Sequence, residues 1–161
     1  MSAMTAMPAF HFSPENGRIE CSAYSAPFKA LAVVMVTLAF AWAWRMWSNG
    51  VIEFNLKSSG WLAAALIMMA YTEWHIIRGK TTLDSTSVKQ SWVWNKSAAL
   101  NELAYAKLIR MRGLDWLIAP RLYTKTYSGK LAVFYAADRQ MIAEFQRLEQ
   151  ALRDMRDAGL R

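Results

Sequence analysis

The stretch from Ala30 to Trp44, ALAVVMVTLAFAWAW, decides the fold class of this chain. It runs for fifteen residues without a charge, and from Pro27 to Trp47 it extends to twenty-one residues. A helix of that length measures about 31 Å at ~1.5 Å per residue, which matches a hydrocarbon core of roughly 30 Å. Lys29 and Arg45 stand near its ends, where long basic side chains reach the lipid headgroups. We therefore predict a transmembrane helix over residues 27–47.

A second apolar run extends from Gly60 to Ile77 and contains Glu73 and His75 near its end. Tryptophans stand at or near the ends of both runs: Trp42, Trp44, Trp47, Trp61 and Trp74. Because tryptophan is enriched at membrane–water interfaces, this placement favours a second span over residues 60–77 and a short periplasmic loop over residues 48–59. The alternative is a pair of buried helices in a soluble bundle, which a fifteen-residue run without a polar face disfavours.

The 161 residues carry a net charge of +7, and it resides in the second half of the chain. Residues 1–77 hold four basic and four acidic side chains, whereas residues 78–161 hold fifteen and eight. Near the spans, the tail and the segment after residue 77 hold six basic residues, whereas the connecting loop and its flank hold two. Because basic residues close to spans stay in the cytoplasm, these counts predict a multi-pass protein with both termini cytoplasmic. Residues 1–26 have no basic region ahead of the apolar run, and we predict that they form a retained polar tail.

Two features of the predicted hairpin indicate contacts between its two spans. Glu73 lies about one turn inside its span, and Lys29 is the nearest counter-charge by depth, so we predict an intramembrane pair between them. A water-exposed Glu73 and a proton or ion relay are the alternatives. Small residues occur at Ala39 and Ala43 in the first span and at Gly60 and Ala64 in the second. Because small residues let helices approach in lipid, we predict that the spans cross there.

The basic half changes to short alternating segments and then to a helical period. We predict about five antiparallel strands; besides the segment that begins at Thr82, the candidates are Val88–Trp94, Leu103–Met111, Arg121–Tyr127 and Lys130–Ala136. Ser128-Gly129 predicts a tight hairpin between the last two. Asp138 is a suitable N-cap for an amphipathic helix over residues 138–157, whose apolar stripe is Met141, Phe145, Leu148, Leu152 and Met155. The stripe is expected to seal the sheet, or alternatively to pair with a partner helix.

This order of elements resembles small bacterial inner-membrane proteins with a pleckstrin-homology-like (PH-like) tail, and more narrowly the family with a YcxB-like C-terminal domain. The residues that carry the resemblance are the two spans, Thr82-Leu83-Asp84 leading into Val88–Trp94, and Leu131–Ala136 running into the helix. The resemblance implies a PH-like α+β domain over residues 78–161, no enzymatic activity and no catalytic residue. The chain departs from the pattern in residues 110–123, where an extra apolar stretch leaves the strand register open.

No motif for an enzyme or a cofactor accompanies this pattern. The chain lacks a phosphate-binding loop and a dinucleotide fingerprint, and its two histidines do not form a catalytic set with a serine and an aspartate. The spacing of Cys21, His11 and His75 favours no metal site. We predict no cofactor and no metal, and a Cys21 thiol that is inert or adjacent to lipid rather than a nucleophile.

Positive charge is the remaining functional signal. The candidate binding residues are Lys107, Arg110, Arg112, Trp116, Arg121, Lys125 and Lys130. Each basic side chain near an anionic leaflet contributes about 1 kcal/mol, and Trp116 with Leu117 and Ile118 could dip into the interface. No nucleic-acid motif is present. The alternative to a binding surface is an ordinary solvated basic surface that follows the positive-inside bias. We predict a scaffold or accessory protein that binds anionic phospholipid headgroups or a membrane-protein partner. A division or cytoskeletal inhibitor, resembling membrane-bound toxin–antitoxin effectors, and an ion-pathway subunit built from a homo-oligomer are the alternatives.

Overall fold

A computed structural model describes residues 10–51, 56–111 and 113–159 of the chain. It contains seven strands, three α-helices and one short 3-10 turn. In chain order these are β1 (Arg18–Ser22), α1 (Ala26–Ser48), α2 (Leu56–Arg78), β2 (Lys80–Asp84), β3 (Ser87–Ser91), β4 (Lys96–Ala99), the 3-10 turn Leu100–Glu102, β5 (Leu103–Ile109), β6 (Arg121–Thr126), β7 (Leu131–Tyr135) and α3 (Arg139–Gly159). The prediction of antiparallel sheet with a C-terminal helix is confirmed at this level.

The strands form two antiparallel sheets rather than one. The first sheet has the order β1-β2-β3-β4 and the second has the order β5-β6-β7. The prediction of about five strands missed β1 and β4. It also extended β3 too far, because the strand ends at Ser91 and Trp92–Trp94 forms the turn into β4. The strand register that the sequence left open in residues 110–123 is given by the β5–β6 pairing, in which Ile109 lies opposite Arg121.

The prediction that residues 1–26 form a tail apart from the folded domain is wrong for residues 10–25. β1 pairs with β2 over its whole length, from Arg18 opposite Asp84 to Ser22 opposite Lys80. Alternate residues of β1 point inward, so Ile19 and Cys21 are buried. Phe10 and Phe12 join the same core. The helical hairpin is therefore an insertion between two neighbouring strands of one sheet.

The core lies between the sheets and α3. Asp138 accepts a hydrogen bond from the backbone N–H of Gln140 at 2.7 Å, as expected of an N-cap. The helix stripe faces the sheets: its first four members are buried and Met155 packs against the cluster. The largest fully buried side chains are Phe134, Phe145, Leu83, Leu100, Leu103, Leu122, Met141 and Leu148. The sealing role expected of the stripe is thus the one that the structure shows.

Polar side chains of the first sheet cover the outer edge of β7. The Thr81 hydroxyl donates to the backbone carbonyl of Tyr135 at 2.6 Å, and the Tyr135 N–H donates to the Gln90 side-chain oxygen at 3.2 Å. Thr81 and Gln90 are both buried. Buried backbone N–H and C=O groups need hydrogen-bond partners. These two side chains of the first sheet supply them for Tyr135, at the edge of the second sheet.

The α1–α2 hairpin projects from the domain without a buried residue in α1. By length and composition α1 is the one helix, among the described residues, that is apolar enough to cross a membrane. The prediction of two spans is therefore confirmed for α1 alone, because the polar groups near the end of α2, Glu73 and His75 among them, lower the mean hydropathy of that helix. The predicted loop 48–59 is also too long, since α2 begins at Leu56.

The two helices contact each other along a seam with heptad-like spacing. After Phe28, the half-buried positions in α1 are Lys29, Ala32, Val36, Ala39, Ala43 and Met46. Ala39 and Ala43 are half-buried on this seam, as predicted, but Ala64 is exposed, and it is Ala63 that borders the same gap as Ala43. A Cβ added to Gly60 would meet no atom within 4 Å, so no close crossing occurs there. A gap of about 430 Å³, lined by Phe40 and Leu66 among others, separates the helices at this end.

The β2–β3 turn supplies a pH-dependent contribution to stability. Burial by itself raises the pKa of Asp84. Hydrogen bonds from Thr86 and Ser87 and the nearby Lys89 ammonium lower this pKa by more than burial raises it, so that the net value is about 2. Because this pKa is depressed from 3.8, the carboxylate contributes stability that is present above pH ~4 and lost as the pH falls through ~2. We expect urea unfolding to show Asp84→Asn less stable than wild type at pH 7. The gap should narrow strongly by pH 2, where the carboxyl is about half protonated, and an equal gap at both pH values would contradict this role.

Candidate membrane-proximal surface

The end of the domain from which the hairpin leaves brings together segments that are far apart in sequence. Ser22 and Lys80 are paired there, and Lys80 is also paired with Ser91. The β5–β6 loop lies at the same end, because the Ser25 hydroxyl, which caps α1, donates to the Leu117 carbonyl at 2.6 Å. We call the exposed and half-buried side chains of the β3–β4 turn (residues 92–96) and of the β5–β6 loop with its flanking residues (110–111 and 113–121) the proximal surface.

The β5–β6 loop presents an aromatic side chain beside cations. Gly113 has a φ of +88°, which lets the chain reverse after Met111. The Ile118 N–H then donates to the Leu114 carbonyl at 2.8 Å, closing a helical turn that leaves Trp116 63% exposed. Leu117 and Ile118, which were expected to dip into the interface, are half-buried, and Met111 and Leu114 are exposed in their place.

A cavity of about 670 Å³ lies between this loop and the beginnings of α1 and α3. Its walls include Arg110, Asp115, Trp116 and Arg139, with Pro27 of α1. Two arginines and a tryptophan therefore border a space next to the first turn of the apolar helix. The cavity carries two positive charges against one negative charge, which favours an anionic group.

The β3–β4 turn adds a second aromatic element that sequence reasoning missed. The Trp92 and Trp94 rings meet edge to face with centroids 6.2 Å apart. Trp94 is 71% exposed, and the Lys96 ammonium lies 5.3 Å from the centroid of the Trp92 ring. Because both tryptophans are strand formers, the sequence predicts a strand here instead of a turn. The signal that could have found the turn is the polar Asn95-Lys96-Ser97 that follows them.

The predicted Lys29–Glu73 pair is not formed. The Lys29 ammonium donates to the backbone carbonyl of Ile77 at 2.8 Å. The last carbonyls of a helix lack intrahelical partners and carry its negative partial charge, so the end of α2 attracts a cation from α1. Glu73 lies one turn further along the hairpin, beside Ala32 and Val36. The hairpin base is also bounded by aromatics, since the Arg78 guanidinium stacks 3.8 Å from the Trp74 ring centroid.

The structure divides the predicted binding residues into separate groups. Arg110, Trp116 and Arg121 lie on the proximal surface. Lys107 sits mid-strand opposite Tyr123, and Lys125 and Lys130 lie toward or at the opposite end of β6, where it turns into β7. Arg112 lies outside the described residues. The predicted set is therefore not one contiguous surface, because the direction of β6 carries its two ends apart.

The remaining candidate for chemistry is Cys21, which is buried in β1. Burial raises the pKa of its thiol to about 11. Since the thiolate is the reactive form, Cys21 is a poor nucleophile at neutral pH. Among residues 10–51, 56–111 and 113–159, no group of three histidine, cysteine or acidic side chains could hold a metal ion.

Comparison with known proteins finds no matching family model, no matching curated protein and no matching solved structure. The resemblance to PH-like membrane proteins consequently rests on the residues quoted for it. A functional conclusion has to come from the geometry of the proximal surface and of the hairpin.

Proposed function

We propose that this chain is a non-enzymatic scaffold or accessory protein of the bacterial inner membrane. The α1–α2 hairpin inserts in the bilayer, and the basic PH-like domain rests on the anionic cytoplasmic leaflet through its proximal surface. The two sheets closed by α3 support the PH-like assignment. The excess of basic residues after the hairpin supports a cytoplasmic domain, because such residues are retained on that side.

The packing of α2 against α1 supports insertion of the whole hairpin. Lys29 bonds to Ile77 at the base, Val36 shares a groove with Met69, and Ala43 lines a gap with Leu66. A helix that accompanies α1 at these three levels shares its depth in the bilayer. Large apolar side chains are exposed on both helices, and in water they would form a patch that soluble monomers rarely show.

The observation that carries the proposal is the position of Trp94 and Trp116. Both indoles are exposed at the end of the domain where the apolar helix begins. Amphipathic indole rings favour the headgroup region, and Lys96, Arg110 and Arg121 accompany them on the same surface. Aromatic insertion and cation attraction then act on one interface.

The test uses the full chain in lipid nanodiscs with and without phosphatidylglycerol. Hydrogen exchange of residues 92–96 and 113–120 should slow in anionic nanodiscs and recover at high salt. Arg110→Gln with Arg121→Gln should weaken surface docking by about 2 kcal/mol, or roughly 30-fold, at about 1 kcal/mol per cation.

The matched control is Lys125→Gln with Lys130→Gln, which removes the same charge from the other end of β6. This control should leave the exchange of both segments unchanged. The proposal fails if the two double variants behave alike, or if neutral and anionic nanodiscs protect the segments equally.

A further inference from the structure

The cavity of about 670 Å³ beside the β5–β6 loop is lined by two arginines that have no partner. In the part of the chain that the structure describes, every arginine outside the α1–α2 hairpin has an ion pair or an aromatic contact, except Arg110 and Arg139. Both line this cavity, and Asp115, its acidic residue, pairs with neither of them. Two guanidinium groups without a counter-charge in one concave site attract an anion.

The position of Arg139 is not explained by the stability of its helix. Arg139 is the first residue of α3, and the first turn of that helix holds no acidic side chain. Because the beginning of a helix carries a positive partial charge, a cation there is disfavoured. Arg110 directly follows β5, and both arginines are exposed, so an anion from outside can reach them.

The opposite wall of the cavity favours a lipid over a soluble anion. It includes Ala26 and Pro27, in the first turn of α1. Leu31 and Val34 lie on the same face of α1 as Pro27, because residues three and four apart are neighbours on a helix, and both are exposed. With α1 in the bilayer, a lipid whose headgroup occupies the cavity has its acyl chains beside these apolar side chains. The exposed indole of Trp116, on the same cavity, suits the headgroup level.

We infer that this cavity binds the headgroup of one anionic phospholipid of the phosphatidylglycerol type, a phosphodiester that carries hydroxyl groups. Arg110 and Arg139 bind the phosphate oxygens, and the Asp115 carboxylate accepts a hydrogen bond from a headgroup hydroxyl. The charges balance, because two guanidinium groups and one carboxylate leave one positive charge for the single negative charge of a phosphodiester. The inference rests on the proposed membrane role and adds to it one fixed site for a lipid of stated chemistry.

The test uses the full chain in a neutral detergent, with native mass spectrometry to count the lipids that each chain retains. The probes are phosphatidylglycerol and phosphatidylethanol, which is a phosphodiester of the same charge whose headgroup has no hydroxyl. One phosphatidylglycerol should bind saturably and roughly tenfold more tightly than phosphatidylethanol, as expected of one hydrogen bond to a charged group. Soluble glycerol phosphate in large excess should not displace it, because that molecule has no acyl chains to pack against α1.

Variants of the cavity residues assign the binding to this site. Arg110→Gln with Arg139→Gln should weaken the retention of phosphatidylglycerol by about tenfold or more. The matched control is Lys130→Gln with Arg156→Gln, which removes the same charge from exposed positions that do not line the cavity and should leave retention unchanged. Asp115→Ala should abolish the preference for phosphatidylglycerol over phosphatidylethanol, because it removes the acceptor of the hydroxyl.

A second readout separates this site from the general docking of the proximal surface. Arg139 lies outside that surface, so Arg139→Gln alone should weaken lipid retention and leave the salt-sensitive exchange of residues 92–96 in anionic nanodiscs unchanged. Protection of residues 92–96 without a retained lipid would overturn the inference and leave surface docking in place. A retained lipid without that protection would support the site and count against surface docking. Equal affinity of wild type for the two lipids, displacement by glycerol phosphate, or equal retention by the two double variants would also overturn the inference.

Discussion

Leu38→Arg is expected to keep a large fraction of the chain out of the bilayer. Leu38 lies near the middle of α1 and is 61% exposed in a helix with no buried residue. A charge at the centre of a span costs about 2.5–3.5 kcal/mol on insertion scales, which is roughly a hundredfold shift in the insertion equilibrium. The measurement is the fraction of chain that stays in membranes after alkaline carbonate extraction.

The same substitution at another exposed leucine separates membrane insertion from a general effect of charge. Leu131 is 75% exposed and begins β7 at the end of the domain away from the hairpin. Leu131→Arg should leave the carbonate-resistant fraction unchanged. Full retention of Leu38→Arg in membranes would show that α1 does not cross the hydrocarbon core.

Phe145→Ala is expected to cost about 3–5 kcal/mol of domain stability. The Phe145 ring is fully buried where α3 packs against the sheets, and truncation both removes apolar burial and leaves a cavity. A domain of this size has a total stability of about 5–15 kcal/mol, so the loss is a large share of it. Urea unfolding of the full chain in detergent, followed by near-ultraviolet circular dichroism, should show a lower midpoint with an unchanged slope.

Leu131→Ala is the control for that experiment, since its side chain is exposed and should change stability by no more than about 0.5 kcal/mol. The helical signal of the hairpin should persist in both variants, because α1 and α2 contact each other outside the domain core. A cost below 1 kcal/mol for Phe145→Ala would contradict the packing of α3 over the sheets.

Local patterns predicted the elements whose signals are contained within one segment. The run around Leu38 predicted α1, Ser128-Gly129 predicted the β6–β7 turn, and the spacing from Met141 to Leu152 predicted the buried face of α3. In each case the period of apolar residues or the turn chemistry is enough, because the relevant neighbours are close in sequence.

The prediction failed where the partner of a segment is distant. β1 lies before the hairpin, and the five residues Arg18–Ser22 are recognisable as a strand only beside β2, which follows some sixty residues later. Lys29 donates to the backbone carbonyl of Ile77 and does not pair with Glu73, because the unpaired carbonyls at the end of α2 compete for the cation. The position of that helix end depends on how α1 and α2 pack, which the sequence does not give.

The amino-acid sequence by itself determined that the chain has an apolar helix long enough to cross a membrane, followed by a basic α+β region. Hydropathy and charge are properties of the residues along the chain, so they can be calculated without knowing any tertiary contact. Only the tertiary structure decided which cations share a surface: Arg110 and Arg121 lie with Trp116 near the hairpin, Lys130 lies at the opposite end, and Lys107 borders a groove with α3. Strand direction and helix packing place these side chains, and both depend on contacts between residues far apart in the chain.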